Sequence, residues 1–205
     1  MKNYYKNTTN SEKCVEIEFM QIMLDKYLER TMKVLDVGGI ATREINNVPY
    51  LQKIEQMMLK RKVADFRAGA DYRGDFVKFD FGEEVFDAIV FLSSLEHFPQ
   101  CTEGDHIYRK EEDIRGYWKA LSLLLPHGKI FLTVPFGKQY FEGTSHQNYD
   151  MEGILNLTQG STIVESHTYQ LSEDKVLWTK TPPEDMIDLP YPWGVGCFVL
   201  EKNEE

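Results

Sequence analysis

Lys33-Val34-Leu35-Asp36-Val37-Gly38-Gly39 is a short apolar run closed by an acid and two glycines. It reads as a buried strand entering a sharp turn, since glycine lets the backbone reverse tightly and lie close to a ligand. Working outward, residues 63–66 and 72–79 are two further strand candidates. Phe86-Asp-Ala-Ile-Val-Phe-Leu92 is a continuous apolar strand, and 129–135 is another. Helical patterns lie between them. Leu51, Ile54 and Met58 recur at helical offsets over 47–59, and Lys60-Arg61-Lys62 is expected to end that helix, where cations suit the dipole. Ile114, Trp118 and Leu121 mark one side of a helix over 111–125, stopped by Pro126-His127-Gly128. Strands alternating with helices predict an α/β domain, a parallel sheet with helices on both faces.

Upstream, Thr9 and Glu12 have capping-box spacing. The helix they open runs to about Arg30, with Val15, Phe19, Ile22 and Met23 in a stripe widened by Met20, Leu24 and Leu28. Downstream the alternation breaks. Residues 162–171 and 195–202 both read as strands separated by a Pro-rich stretch, which predicts an antiparallel pair at one sheet edge. The run from 178 to 193, with Pro182, Pro183, Pro190 and Pro192, reads as a lid over the site or as an edge loop.

The 205 residues, 42% of them hydrophobic, suffice for one core and one domain. Cys14, Cys101 and Cys197 form no C-x-x-C pair, so neither a zinc knuckle nor a redox dithiol is expected. The first ten residues are polar, and no apolar run approaches the ~18 residues of a membrane span. A soluble, cytoplasmic protein is the expectation. A formal net charge of −10 disfavours nucleic acid as a partner and leaves a small molecule as the expected one.

In an open α/β sheet, ligands sit outside the carboxyl ends of the strands. Four clusters of chemically capable residues follow four strands: Asp36, Gly38 and Gly39; Asp65; Gly74 and Asp75; and Ser93, Ser94, Glu96 and His97. A carboxylate at Asp65 suits the two ribose hydroxyls of an adenosine, and Asp75 suits an adenine amino group with Phe76 packed on the ring. Singly, each Asp also reads as a cap and each glycine as an ordinary turn. The succession at four strand ends favours a site. A dinucleotide fingerprint is excluded, because no glycine occurs from Ile40 to Ala68. A P-loop is excluded as well, since Gly128-Lys129 and Gly137-Lys138 are followed by Ile130 and Gln139.

Val34-Leu-Asp-Val-Gly38, Asp65, Gly74-Asp75, Phe86-Asp-Ala-Ile-Val with Ser94-Leu-Glu-His97, and Leu124-Leu-Pro-His-Gly-Lys129 together resemble the class I S-adenosylmethionine-dependent methyltransferases. Thr133-Val-Pro-Phe-Gly137 and Gln147-Asn-Tyr-Asp150 are similar to small members from bacterial polysaccharide and natural-product clusters. The resemblance implies a Rossmann-like methyltransferase fold, a mostly parallel seven-stranded sheet in the order 3-2-1-4-5-7-6 with strand seven antiparallel. It implies a helical cover over 1–31, a cofactor-binding core over 32–135, and an acceptor side with the C-terminal strand pair over 136–205. It also implies S-adenosyl-L-methionine as cofactor, held by Asp36, Gly38, Gly39, Asp65, Asp75, Phe76 and Ser94. One departure is visible: Ile40 and Thr42 stand where the family's loop has glycines.

The resemblance implies O-methylation of a small polar acceptor such as a sugar, nucleotide-sugar or secondary metabolite. A hydroxyl acceptor needs a base titrating near neutrality, which suits histidine. His97 follows the fourth strand, and His146 lies in the polar loop Gly143-Thr-Ser-His-Gln-Asn148; both are candidate catalytic bases. Tyr140, Phe141, Tyr149, Tyr191 and Trp193 are expected around the mouth of the site or in loop packing. No metal is expected, since His106 beside Asp105 has no third ligand at a recognisable spacing. An N-methyltransferase and a non-catalytic cofactor-binding or scaffold protein of the same fold remain as alternatives.

Overall fold

The computed structural model describes residues 11–39, 52, 60–99, 109, 111–142, 146–175, 177–190 and 192–204. Along the chain come α1 (Lys13–Tyr27), β1 (Lys33–Val37), β2 (Lys60–Asp65), β3 (Tyr72–Arg73) and β4 (Phe86–Leu92). A 3-10 turn (Leu95–His97), α2 (Glu112–Leu123), β5 (Leu124–Pro135), β6 (Tyr140–Glu142), β7 (His146–Asn148) and α3 (Met151–Leu157) follow. The chain closes with β8 (Ser161–Leu171), β9 (Trp178–Lys180), a 3-10 turn (Pro183–Met186) and β10 (Gly194–Lys202).

Eight strands make the main sheet, in the order β3-β2-β1-β4-β5-β10-β8-β9, and β6 with β7 makes a separate hairpin. The first five strands are mutually parallel, while β10 runs antiparallel to both β5 and β8. This is the expected order with one addition, β9, which pairs antiparallel along the outer edge of β8 through Tyr169–Leu171. The antiparallel edge pair follows from the connection between β8 and β10, which carries β9 and a 3-10 turn in place of the helix that a crossover between parallel neighbours usually supplies.

Burial explains why the central strands read as unbroken apolar runs. All of β4 is buried except Asp87, whose carboxylate accepts from the Lys33 backbone N–H at 2.7 Å. One face packs Leu35, Ile89, Phe91, Ile130, Leu132 and Phe198 against α2 and α3. The other packs Val34, Ala88, Val90, Phe131, Cys197 and Val199 against α1. A strand covered on both sides has no reason to alternate in polarity.

The helix faces differ in detail from the sequence expectation. In α1 the buried side comprises Glu16, Ile17, Phe19, Met20, Met23 and Leu24, while Ile22 is 53% exposed. In α2 the core-facing residues are Gly116, Tyr117, Ala120 and Leu121, and Trp118 stands outside them, 48% exposed. Both stripes are rotated by about one residue, since several near-equal apolar stripes can be drawn on helices this rich in large side chains. Lys60-Arg61-Lys62 does not end a helix; it opens β2, with Arg61 in register with Val34. The capping Thr9 lies outside the described residues, as does the helix over 47–59 apart from Gln52.

Candidate functional site

Neighbouring strand ends meet along one edge of the sheet. Val37 is in register with Ala64, and the next residue, Gly38, donates its N–H to the Ala64 carbonyl at 2.8 Å. Asp65 follows, and its carbonyl accepts from Gly74 N–H at 3.1 Å. On the other side Ser94 Oγ donates to the Val37 carbonyl at 2.8 Å. Gly74, Asp65, Gly38 and Ser94 therefore stand in a row along the ends of β3, β2, β1 and β4. Gly38 has φ of 80°, and a Cβ there would lie 2.7 Å from Ser94 Cβ, so only glycine fits.

The carboxylates in this row hold the loops together. Asp36 is 1% exposed and accepts at Oδ2 from Arg61 Nε (3.0 Å) and Nη2 (2.5 Å). Arg61 Nη2 also reaches the Gly39 carbonyl at 3.3 Å, and a Cβ on Gly39 would lie 2.5 Å from the Asp36 carboxyl carbon. Asp65 Oδ1 accepts from the Arg67 N–H at 2.9 Å, so this carboxylate shapes the turn after β2. Asp75 Oδ1 accepts from Val77 N–H at 3.1 Å, while Oδ2 meets Lys78 Nζ at 3.0 Å and Arg109 Nη1 at 3.9 Å. Phe76 points into the core, 5% exposed, edge-on to Phe81, Phe91 and Phe98. Residues 40–42, with Ile40 and Thr42, lie outside the described residues.

Beside the row, between α1 and the ends of β4, β5 and β10, lies a cavity of about 200 Å³. Glu12, Lys13, Ser93, Glu96, His97, Pro135, Pro192, Gly194 and Val195 line it. Ser93 adopts φ of 44°, the left-handed region that β-substituted residues rarely occupy, with its N–H held by Thr133. Its hydroxyl donates to Glu16 Oε1, while Lys13 Nζ donates to Glu16 Oε2 at 2.7 Å. The fully buried Glu16 is thus satisfied on both oxygens. Burial pulls the Lys13 ammonium pKa down, but adjacent Glu16 outweighs it and holds that pKa above its ordinary value.

Glu96 is different. It is 2% exposed, and its buried Oε2 has no hydrogen-bond partner. Burial pushes its pKa up from 4.5 to about 8; Lys13 opposes that rise, and Glu16 and Glu12 add to it. A native pKa above the unfolded one means that the folded chain holds a proton the unfolded chain releases. Stability is therefore full below pH 4.5 and falls as pH rises from 4.5 to 8. Glu96→Gln removes that loss. Its melting temperature should exceed the parent's by on the order of 10 °C at about pH 8.5, the gap closing toward about pH 5. Paired thermal melts across that range check this, and a gap independent of pH would refute it.

The candidate bases are only partly brought to this place. His97 lies on the 3-10 turn, 42% exposed, with Nε2 3.8 Å from Glu96 Oε1, and it lines the cavity. His146 opens β7 opposite Glu142, and its side chain lies outside the described residues, as do those of Tyr140 and Phe141 and all of Tyr191. Tyr149 is a core residue, 1% exposed, donating to Asp113 Oδ2 at 2.8 Å rather than facing the mouth. Trp193 lies under Lys175, whose Nζ is 5.1 Å from the ring centroid. The Pro-rich run packs as an edge segment through buried Met186 and reaches the cavity at Pro192. His106 falls outside the described residues, and among those described no three metal-ligating side chains gather. No described helix is long and apolar enough to cross a membrane.

Sequence reading missed Glu16, Lys13 and Arg61. A signal for Glu16 existed: it stands four residues before Met20 and seven before Met23, a carboxylate inside an apolar stripe. Arg61 carried no such signal, because its partner Asp36 is 25 positions away.

No family profile and no curated protein matches the sequence. Solved structures do match its fold. The N-methyltransferase NodS from Bradyrhizobium japonicum WM9, in complex with S-adenosyl-L-homocysteine, superposes with a TM-score of 0.59 at 13% identity, over 94% of this chain and 88% of that one. The [4+2]-cyclase SpnF superposes with a TM-score of 0.63 at 12% identity, over 92% and 81%. An S-adenosylmethionine-dependent methyltransferase from Clostridium acetobutylicum ATCC 824 superposes at 0.59 and 8%, over 98% and 96%. With the strand order and its antiparallel β10, these likenesses show that the chain has the Rossmann-like fold of the class I S-adenosylmethionine-dependent methyltransferases.

Proposed function

We propose that the protein binds S-adenosyl-L-methionine along the row of strand ends and transfers its methyl group to a small polar acceptor. The observation that carries this reading is the wedge at Gly38, where the backbone turns between Ala64 and Ser94 with no room for a side chain and Asp65 stands next in line. These residues suit the group. Gly38 and Gly39 let backbone approach it, Asp65 offers a carboxylate to ribose hydroxyls, and Asp75 lies one strand further for the base. Phe76 supports that end from within the core. The bound cofactor supplies an electrophilic methyl on a sulfonium, whose departure needs no protein acid. The protein's share is to align the acceptor and take its proton.

For a hydroxyl acceptor, as in a sugar, nucleotide-sugar or secondary metabolite, His97 is the base nearest the cavity and His146 the second candidate. The fold alone does not name the reaction, since a [4+2]-cyclase shares it. Binding is therefore the first test. Calorimetry with S-adenosyl-L-homocysteine should give a saturable isotherm, and Asp65→Ala should weaken it by about tenfold or more through loss of the ribose acceptor. Silence with the parent protein would favour a scaffold of the same fold, and unchanged affinity in Asp65→Ala would show that the nucleoside lies elsewhere.

A further inference from the structure

We propose that the cavity between α1 and the ends of β4, β5 and β10 binds an ammonium group carried by the acceptor, with the Glu96 carboxylate as its counter-ion. This rests on the methyltransferase reading only for the word acceptor; the binding chemistry stands on the cavity itself. Two carboxylates, Glu12 and Glu96, line it with Glu16 bonded behind Lys13 and Ser93, against one lysine and the imidazole of His97. Lys13 is already spent on Glu16 at 2.7 Å, and Ser93 satisfies the other Glu16 oxygen. That leaves Glu96, a residue of the cavity lining at 2% exposure, with one carboxyl oxygen that has no hydrogen-bond partner. A buried carboxyl group without a partner is costly, and a cation that arrives with N–H donors removes the cost. A neutral hydroxyl donates one bond and brings no charge; an ammonium brings both charge and three donors.

The rest of the wall fits the body of such a molecule. Pro135, Pro192 and Val195 are apolar, and Gly194 leaves room between them. The volume of about 200 Å³ admits a ring of six carbons with its substituent, not a polymer. Near neutral pH burial keeps Glu96 mostly as the acid, since its pKa is pushed up to about 8. Entry of a cation makes the carboxylate the favoured form, so binding expels the carboxyl proton to solvent. The other charges facing Glu96 are Lys13, Glu12 and Glu16 from the α1 side and His97 on its own turn.

Cyclohexylamine and cyclohexanol are matched probes of this idea, differing in charge and hardly in size. Titrated into the full-length protein and followed by amide NMR, cyclohexylamine should bind in the millimolar range with shifts at Lys13, Ser93, Glu96, His97 and Val195. Cyclohexanol should bind about tenfold more weakly or not at all. Calorimetry of the amine at pH 7 in two buffers of different ionisation heat should show release of up to about one proton. Glu96→Gln should lose about tenfold in amine affinity and the proton release, yet keep its affinity for S-adenosyl-L-homocysteine. Equal binding of both probes, or amine binding that survives Glu96→Gln, overturns the proposal. A parallel loss of S-adenosyl-L-homocysteine binding in Glu96→Gln also overturns it, by assigning the cavity to the cofactor's own amino group. Amine binding with no S-adenosyl-L-homocysteine binding in the parent would uphold the cavity and sink the cofactor reading instead.

Discussion

Gly38→Ala should cost about 2–4 kcal/mol of folding stability and weaken S-adenosyl-L-homocysteine binding about tenfold or more. Two penalties add. The backbone at this position has φ of 80°, where a Cβ meets its own carbonyl oxygen, at about 1–2 kcal/mol. The same methyl would lie 2.7 Å from Ser94 Cβ and 3.4 Å from Ser94 Oγ, well inside van der Waals contact. Relief is blocked on both sides, because Gly38 N–H is fixed on Ala64 and Ser94 is fixed on the Val37 carbonyl. Any adjustment therefore moves the ends of β1, β2 and β4 together, and these are the groups proposed to meet the cofactor. Urea unfolding and calorimetry measure the two effects. Set against Ser94→Gly alone, which loses the bond to the Val37 carbonyl, the double variant Gly38→Ala/Ser94→Gly should show only the backbone part of the Gly38→Ala cost. A single variant as stable as the parent would mean that the turn does not hold this conformation.

Arg61→Met should destabilise the fold by about 3–5 kcal/mol, the usual cost of stranding one member of a buried ion pair. Asp36 is 1% exposed and Arg61 13%, and two guanidinium nitrogens share Asp36 Oδ2. Methionine keeps most of the length and apolar volume of the stem but supplies no donor. Asp36 is then left in a strand covered on both faces, next to the Gly39 turn. The double variant Asp36→Leu/Arg61→Met should regain most of the loss, because the price of an ion pair is its desolvation and an apolar pair has none. Denaturation midpoints for the four proteins make a cycle. An Arg61→Met loss below about 1 kcal/mol would place this pair among ordinary surface contacts.

Much of the core was legible beforehand. Phe86–Leu92 and Lys33–Val37 could be read as strands because a strand buried on both faces must be apolar throughout, and that pattern is local. The antiparallel edge pair was legible from what stands between 171 and 194, a Pro-rich connection unsuited to a helix. The small edge strand β9 was not, since three residues with an intermediate Trp178 and two exposed positions carry no periodic signal. Lys60-Arg61-Lys62 misled for a related reason. Three basic residues suit a helix end, but Arg61 is drawn into β2 by a carboxylate on the neighbouring strand.

The candidate site divides the same way. Gly38, Asp65, Asp75 and Ser94 announced themselves by standing after strands, because parallel strands necessarily bring their carboxyl ends to one edge of the sheet. Phe76 follows Asp75 at the same edge, but its ring faces the aromatic core, a matter of packing that neighbours decide.

From its amino acids alone, then, this chain specifies the central apolar strands, their parallel run and the strand ends proposed to hold the site. Those depend on apolar runs and glycine turns, which act over a few residues. The pairing of Asp36 with Arg61, the burial of Glu16 and the exposed-to-nothing oxygen of Glu96 exist only once α1, β1, β2 and the turn after β4 are assembled. Charges taken out of water are governed by whichever groups folding brings beside them, and that neighbourhood is written in three dimensions.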